Sequence, residues 1–207
     1  MAAEPGAGGP EVRAALAELD AAAAAVSGPA LAAEFRELLE RSPGALYRTG
    51  GPRHLTASAV VVDAPAEHVA LVWHRKGRFW VQPGGHLEAG ETSFARAAVR
   101  EAAEETGLGD LELVGEGPAL LHRHGLDAAF GACHEHWDVL HLLRAPAPAA
   151  ELALTASEET PEVIWVPWPL LGGTGPARSS AALPAGAVAD LPGTLEALAP
   201  ALARYVG

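Results

Sequence analysis

Three acids stand close together at Glu101, Glu104 and Glu105, with Arg100 before them and Gly107 after. On a helix, positions i, i+3 and i+4 share one face. At ~100° per residue the three side chains span an arc of about 100°. Ala95, Ala98, Val99, Ala102 and Thr106 occupy the adjacent arc and are small enough to pack closely on a sheet. Like charges at i,i+4 oppose a helix by ~0.2–0.5 kcal/mol per pair. A hard divalent cation, which prefers oxygen ligands, offsets that repulsion directly. Upstream, Pro83-Gly84-Gly85 reads as a turn through which backbone can approach closely, so a carbonyl can join the ligands. Glu91 and Arg100 can pair and orient the carboxylates. A charge run alone is an ordinary solvated helix face. Here a glycine turn, an acid six residues after Gly85 and then Arg-Glu-x-x-Glu-Glu-x-Gly occur together, and that combination carries the reading.

This stretch resembles the Nudix box, G-x5-E-x7-R-E-U-x-E-E-x-G-U, where U is bulky and apolar. Gly85, Glu91, Arg100, Glu101, Glu104, Glu105, Gly107 and Leu108 match it. Eight residues instead of seven separate Glu91 from Arg100, and Ala102 is small for the first U position. The segments Leu55-Thr-Ala-Ser-Ala-Val, His74-Arg-Lys, Trp80-Val-Gln-Pro-Gly-Gly-His and His136-Trp-Asp138 extend the likeness to a group of bacterial Nudix hydrolases over roughly residues 53–168. The resemblance implies an α/β fold, a Nudix-type α/β/α sandwich with a mixed β-sheet and the box helix packed against it. It implies hydrolysis of a phosphoanhydride bond in a nucleoside diphosphate linked to another group. Glu101, Glu104 and Glu105 would then hold Mg²⁺ or Mn²⁺, with the Gly84 carbonyl as a further ligand. The metal would neutralise phosphate charge and lower the pKa of the attacking water, and Glu101 or a residue outside the box would accept the proton. The alternative is a non-catalytic Nudix-fold protein that binds a nucleotide or an ADP-ribose-like ligand. The intact Arg-Glu-x-x-Glu-Glu argues against that, and the longer spacer argues for it.

Outside the box, His134, His136 and Asp138 alternate onto one face of a strand, with Trp137, Val139 and His141 on the other. They read either as a substrate or metal-supporting site, by ligand type including zinc, or as a polar strand end with satisfied hydrogen bonds. Arg75, Lys76 and Arg78 form a basic patch able to receive phosphate charge, or simply a charged hairpin tip. The expected substrate contacts are Arg75, Lys76, His136 and Asp138. Glu158-Glu159 can add a carboxylate, and Trp80, Trp137, Trp165 and Trp168 either stack a base or fill the core.

The elements that must position these residues follow from periodicity. Residues 11–26 and 29–41 read as helices, the second with Leu31, Phe35, Leu38 and Leu39 in one stripe and a stop at Ser42-Pro43. Strands are expected at 55–62, 69–74, 79–81, 111–115, 119–123, 136–143 and 162–166, and the box helix at 93–106, ending at Gly107. A closing helix is expected at 193–205, interrupted at Pro200. Residues 1–50 thus form an N-terminal helical extension and 51–207 the main domain, with a flexible Gly/Pro/Ala-rich loop at about 172–187.

The chain has 207 residues and a formal net charge of −12. Such a surface repels nucleic-acid backbones and anionic membranes, so neither is an expected partner. It also repels a free polyphosphate, and a small-molecule phosphoanhydride substrate therefore needs a bound cation. The single cysteine, Cys133, allows no disulfide framework, and with no signal-peptide pattern or membrane-length apolar run the expected location is the cytoplasm. The N-terminal helices can support a homodimer.

Overall fold

Apolar side chains at helical spacing give α1, Pro10–Ala21, and α2, Gly28–Arg41, each with a proline in its first turn, where a missing N–H costs nothing. Strands β1 (Arg53–Val62), β2 (His68–His74), β3 (Phe79–Val81) and β4 (Gly84–Gly85) follow. Next come α3 (Phe94–Thr106), β5 (Glu112–Leu113), β6 (Leu120–Gly125), β7 (Glu135–Arg144), β8 (Val163–Pro167) and α4 (Leu191–Val206). This computed structural model describes residues 8–22, 26–126, 130–168 and 183–206, with backbone only for 205 and 206.

The strands form one sheet in the order β3-β2-β1-β7-β5, with β4 on β1, β6 on β7 and β8 on β2. Strand β1 pairs antiparallel with β2 and β4, β2 with β3 and β8, and β7 with β5 and β6. Strands β1 and β7 instead run the same way. Pro52 O accepts from the backbone of His134 and Glu135, Thr56 reaches Asp138, and Val62 O accepts from Ala145 N, so the two sets of residue numbers climb together. The sheet is therefore mixed, with helices, as an α/β fold requires.

The chain forms two compact units. The first holds residues 1–58, 84–98 and 115–141. In it, α1 buries Val12, Ala15 and Leu19, and α2 buries Ala32, Phe35 and Leu39. The Phe35 ring packs 4.9 Å from Trp137 of β7. Burying a side chain of this size contributes on the order of 1.5–3 kcal/mol, and Phe35→Ala would cost about 3–5 kcal/mol. A Glu18 carboxylate oxygen accepts from Ala95 N at 3.1 Å, placing negative charge at the N-terminus of α3, where the helix dipole favours it. The second unit holds residues 59–83, 99–114 and 142–207. Its strands bury near-continuous apolar runs, Ala59–Val62 and Val69–Val72, as expected of strands covered on both faces.

Several expected boundaries move. The first helix stops at Ala21, and Val26 lies in an exposed turn where its N–H bonds Ala119 O. The closing helix runs through Pro200, because Leu191, Leu195, Leu198 and Leu202 all bury on one side and packing outweighs the proline. Of the expected loop at 172–187, residues 172–182 lie outside the described residues. Its end is paired, since Trp80 N donates to Gly186 O and Val188 N donates to Trp80 O, both at 3.0 Å. No helix among the described residues is long and apolar enough to cross a membrane.

Candidate active site

The acids of α3 lie in its second-unit part. Helix α3 has no apolar arc at Ala95 and Val99, which are only half-buried; it buries Phe94, Ala97, Ala98, Ala102 and Thr106. That rotation draws Glu105 into the covered stripe, where it is 8% exposed, and leaves Glu101 half-buried and Glu104 exposed. Arg100 Nη1 donates to Glu101 Oε1 at 2.8 Å and to Glu104 Oε2 at 3.2 Å, so one guanidinium holds two of the three acids. Burial pushes the Glu101 carboxyl above its ordinary pKa, Arg100 pulls it back, and Glu104 and Glu159 push it up again. The helix ends because Gly107 adopts φ 73°, and a Cβ there would meet Thr155 Cβ at 2.6 Å.

That close approach belongs to a loop seated on the end of α3. Thr155 N donates to Thr106 O at 2.8 Å, and the buried Thr160 hydroxyl donates to Glu105 O at 3.5 Å. Ser157 closes the loop, with its hydroxyl 2.7 Å from that of Thr160. The loop carries Glu158 and Glu159. Their backbone oxygens accept from the Arg75 guanidinium (3.5 Å) and Arg75 N (3.4 Å), respectively. Arg75 and Lys76 are exposed at the tip between β2 and β3, where Arg78 takes φ 58° to close the turn. The second unit thus gathers the acids of α3, the acidic loop and the basic tip. These donors suit a hard divalent ion: they are carboxylates, two are partly desolvated, and they crowd like charge.

The remaining expected residues lie in the first unit. Gly84 pairs with Ser58, and a Cβ on it would come 2.5 Å from Ser58 Cβ, so only glycine brings this turn so close to β1. Glu91 closes a turn in which its carboxylate accepts from Glu88 N at 2.7 Å. Asp138 is buried and accepts from Thr56 Oγ1 at 2.9 Å and from Ser58 Oγ. His136 points not toward the exposed His134 but into a ring of histidines. His54, His86 and His136 stand with centroids 4.9, 4.9 and 5.1 Å apart, and His124 lies 5.5 Å from His136. Burial and mutual repulsion push His86 down to about 4 and His136 to about 2, so both stay neutral.

His54 and His86 escape a reading of the sequence by local spacing. The usable signal is a register: with β1 and β7 parallel, His54-x-Thr56 aligns with His136-x-Asp138, and both histidines fall on one face.

The NUDIX domain family model matches residues 52–185. A NUDIX-family hydrolase from Clostridium perfringens shares the fold with a TM-score of 0.53 at 18% identity, over 72% of this chain and 98% of that one. The dihydroneopterin triphosphate pyrophosphohydrolase of E. coli gives a TM-score of 0.45 at 18% identity, over 54% of this chain and 78% of its own. A bifunctional NMN adenylyltransferase/ADP ribose pyrophosphatase from Francisella tularensis, complexed with AMP and Mn ion, gives 0.44 at 17% identity, over 85% of this chain and 48% of its own. No curated protein matches the chain.

Proposed function

The chain belongs to the NUDIX family, and on that premise we propose that it is a Mg²⁺-dependent hydrolase of a phosphoanhydride bond in a small nucleoside diphosphate-X substrate. One observation carries the reading: Glu101, Glu104 and Glu105 stand on successive turns of one helix, with Arg100 bridging the first two and Glu159 close enough to raise the first. Glu101, Glu104 and Glu105 are the groups that would hold the ion. When bound, Mg²⁺ or Mn²⁺ supplies charge neutralisation at the phosphates and a more acidic attacking water.

The chain's own residues supply the rest. Arg100 keeps Glu101 and Glu104 at fixed spacing, as a positioning residue does. Glu101 or a residue outside the box takes the water's proton. Water oxygen bonds to phosphorus, the bridging P–O bond breaks, and the leaving phosphate carries away the electron pair. Arg75 and Lys76 receive phosphate charge not covered elsewhere. The test is a panel of pyrophosphate compounds with Mg²⁺ and Mn²⁺, run beside Glu104→Gln. Turnover of at least one compound by the wild type, lost in the variant, supports the hydrolase. Tight nucleotide binding without turnover would point to a sensor instead.

A further inference from the structure

The three histidines of the first unit form a nearly equilateral triangle on three elements. His54 opens β1, His86 follows β4 and His136 lies on β7. One ring nitrogen from each lies within 4.8 Å of the other two. His54 Nδ1 lies 3.1 Å from Gly51 O and donates to it. That fixes the tautomer and leaves the Nε2 lone pair facing inward, the arrangement by which a backbone carbonyl orients a metal-ligating imidazole. His54 Nε2 and His86 Nε2 face one another at 2.9 Å. His136 Nε2 is buried and makes no hydrogen bond. A hydrogen bond between His54 and His86 accounts for two of the rings but leaves the third nitrogen buried and unsatisfied. A single ion accounts for all three. At metal–nitrogen distances of 2.0–2.1 Å, tetrahedral ligands stand about 3.3 Å apart, so the rings need only small movements to close on one.

We propose that His54, His86 and His136 form a binding site for one zinc-type divalent cation, with a fourth position open to water or another ligand. Neutral imidazoles suit Zn²⁺, Cu²⁺ and Ni²⁺ and serve Mg²⁺ poorly, so this site selects a different metal from the carboxylates of α3. The ion would tie the Gly84–Gly85 turn to the starts of two parallel strands. Neither site shares a ligand with the other, and either assignment can fail alone.

The experiment uses the full chain, stripped with a chelator and re-equilibrated with Zn²⁺ in excess Mg²⁺, with bound zinc measured per chain. The wild type should retain one zinc, and Glu104→Gln should retain it equally. His136→Gln and His86→Ala should each lower zinc affinity at least tenfold while keeping the far-UV circular dichroism. The Co²⁺-loaded wild type should show the intense visible absorption of tetrahedral nitrogen coordination, a readout that does not depend on any variant folding. Zinc retained by both histidine variants, zinc lost in Glu104→Gln, or only weak octahedral cobalt absorption would overturn the site.

Discussion

The acids of α3 and the histidines of the first unit are both clusters of ligand atoms, yet they carry opposite electrostatic problems. Glu101, Glu104 and Glu105 crowd negative charge, which Arg100 offsets at the first two and solvent screens at Glu104. His54, His86 and His136 instead gather uncharged rings, and the problem there is one buried nitrogen, His136 Nε2, without a hydrogen bond. The difference teaches how one fold can present two donor chemistries. Carboxylate oxygens suit a hard ion, while neutral imidazole nitrogens suit a borderline one.

Changes confined to one cluster sharpen that contrast. Glu101→Gln keeps shape and hydrogen bonding but removes charge, and kcat should fall ~100-fold or more with the thermal midpoint little changed. Steady-state kinetics beside calorimetry would show it, and a large loss of stability would move Glu101 from chemistry to structure. Gly84→Ala acts on the other cluster, because the added methyl collides with Ser58 beside the turn that leads to His86. Overpacking of this kind costs about 1–3 kcal/mol, readable as a lower urea midpoint.

A pH effect comes next in size. Burial pushes His141 down to about 4. A histidine depressed in the folded state binds fewer protons there than in the unfolded chain, so stability is complete above the unfolded value near 6.5 and declines as pH falls toward 4. His141→Leu should therefore flatten the drop in thermal midpoint between neutral pH and pH ~4.5; an unchanged drop would place the acid sensitivity elsewhere. The smallest effect belongs to the surface. Glu34 pairs with Arg123 at 2.9 Å with both side chains exposed, and Glu34→Ala should cost no more than about 1 kcal/mol.

The α3 cluster was legible because its acids fall in one short window, where helical geometry alone puts them on one face. The exact rotation was not, since Glu105 enters the buried stripe through packing of Phe94 and Ala98. The loop at 155–160 carries Glu159 toward Glu101 through bonds to Thr106 and Glu105 that local sequence does not announce. The histidine ring was least legible, because its members lie on three elements and meet only once β1 and β7 are paired in parallel. Pro200 misled for a related reason: local chemistry argued for a break, and burial of Leu195, Leu198 and Leu202 decided otherwise.

The most direct measurement is the rate of phosphoanhydride hydrolysis by wild type and Glu104→Gln on the best substrate of the panel, followed across a Mg²⁺ titration. The account predicts no turnover without the ion, saturable activation by Mg²⁺, and a variant slower by ~100-fold that needs more Mg²⁺. Wild-type rates in Glu104→Gln, or hydrolysis indifferent to Mg²⁺, would contradict it.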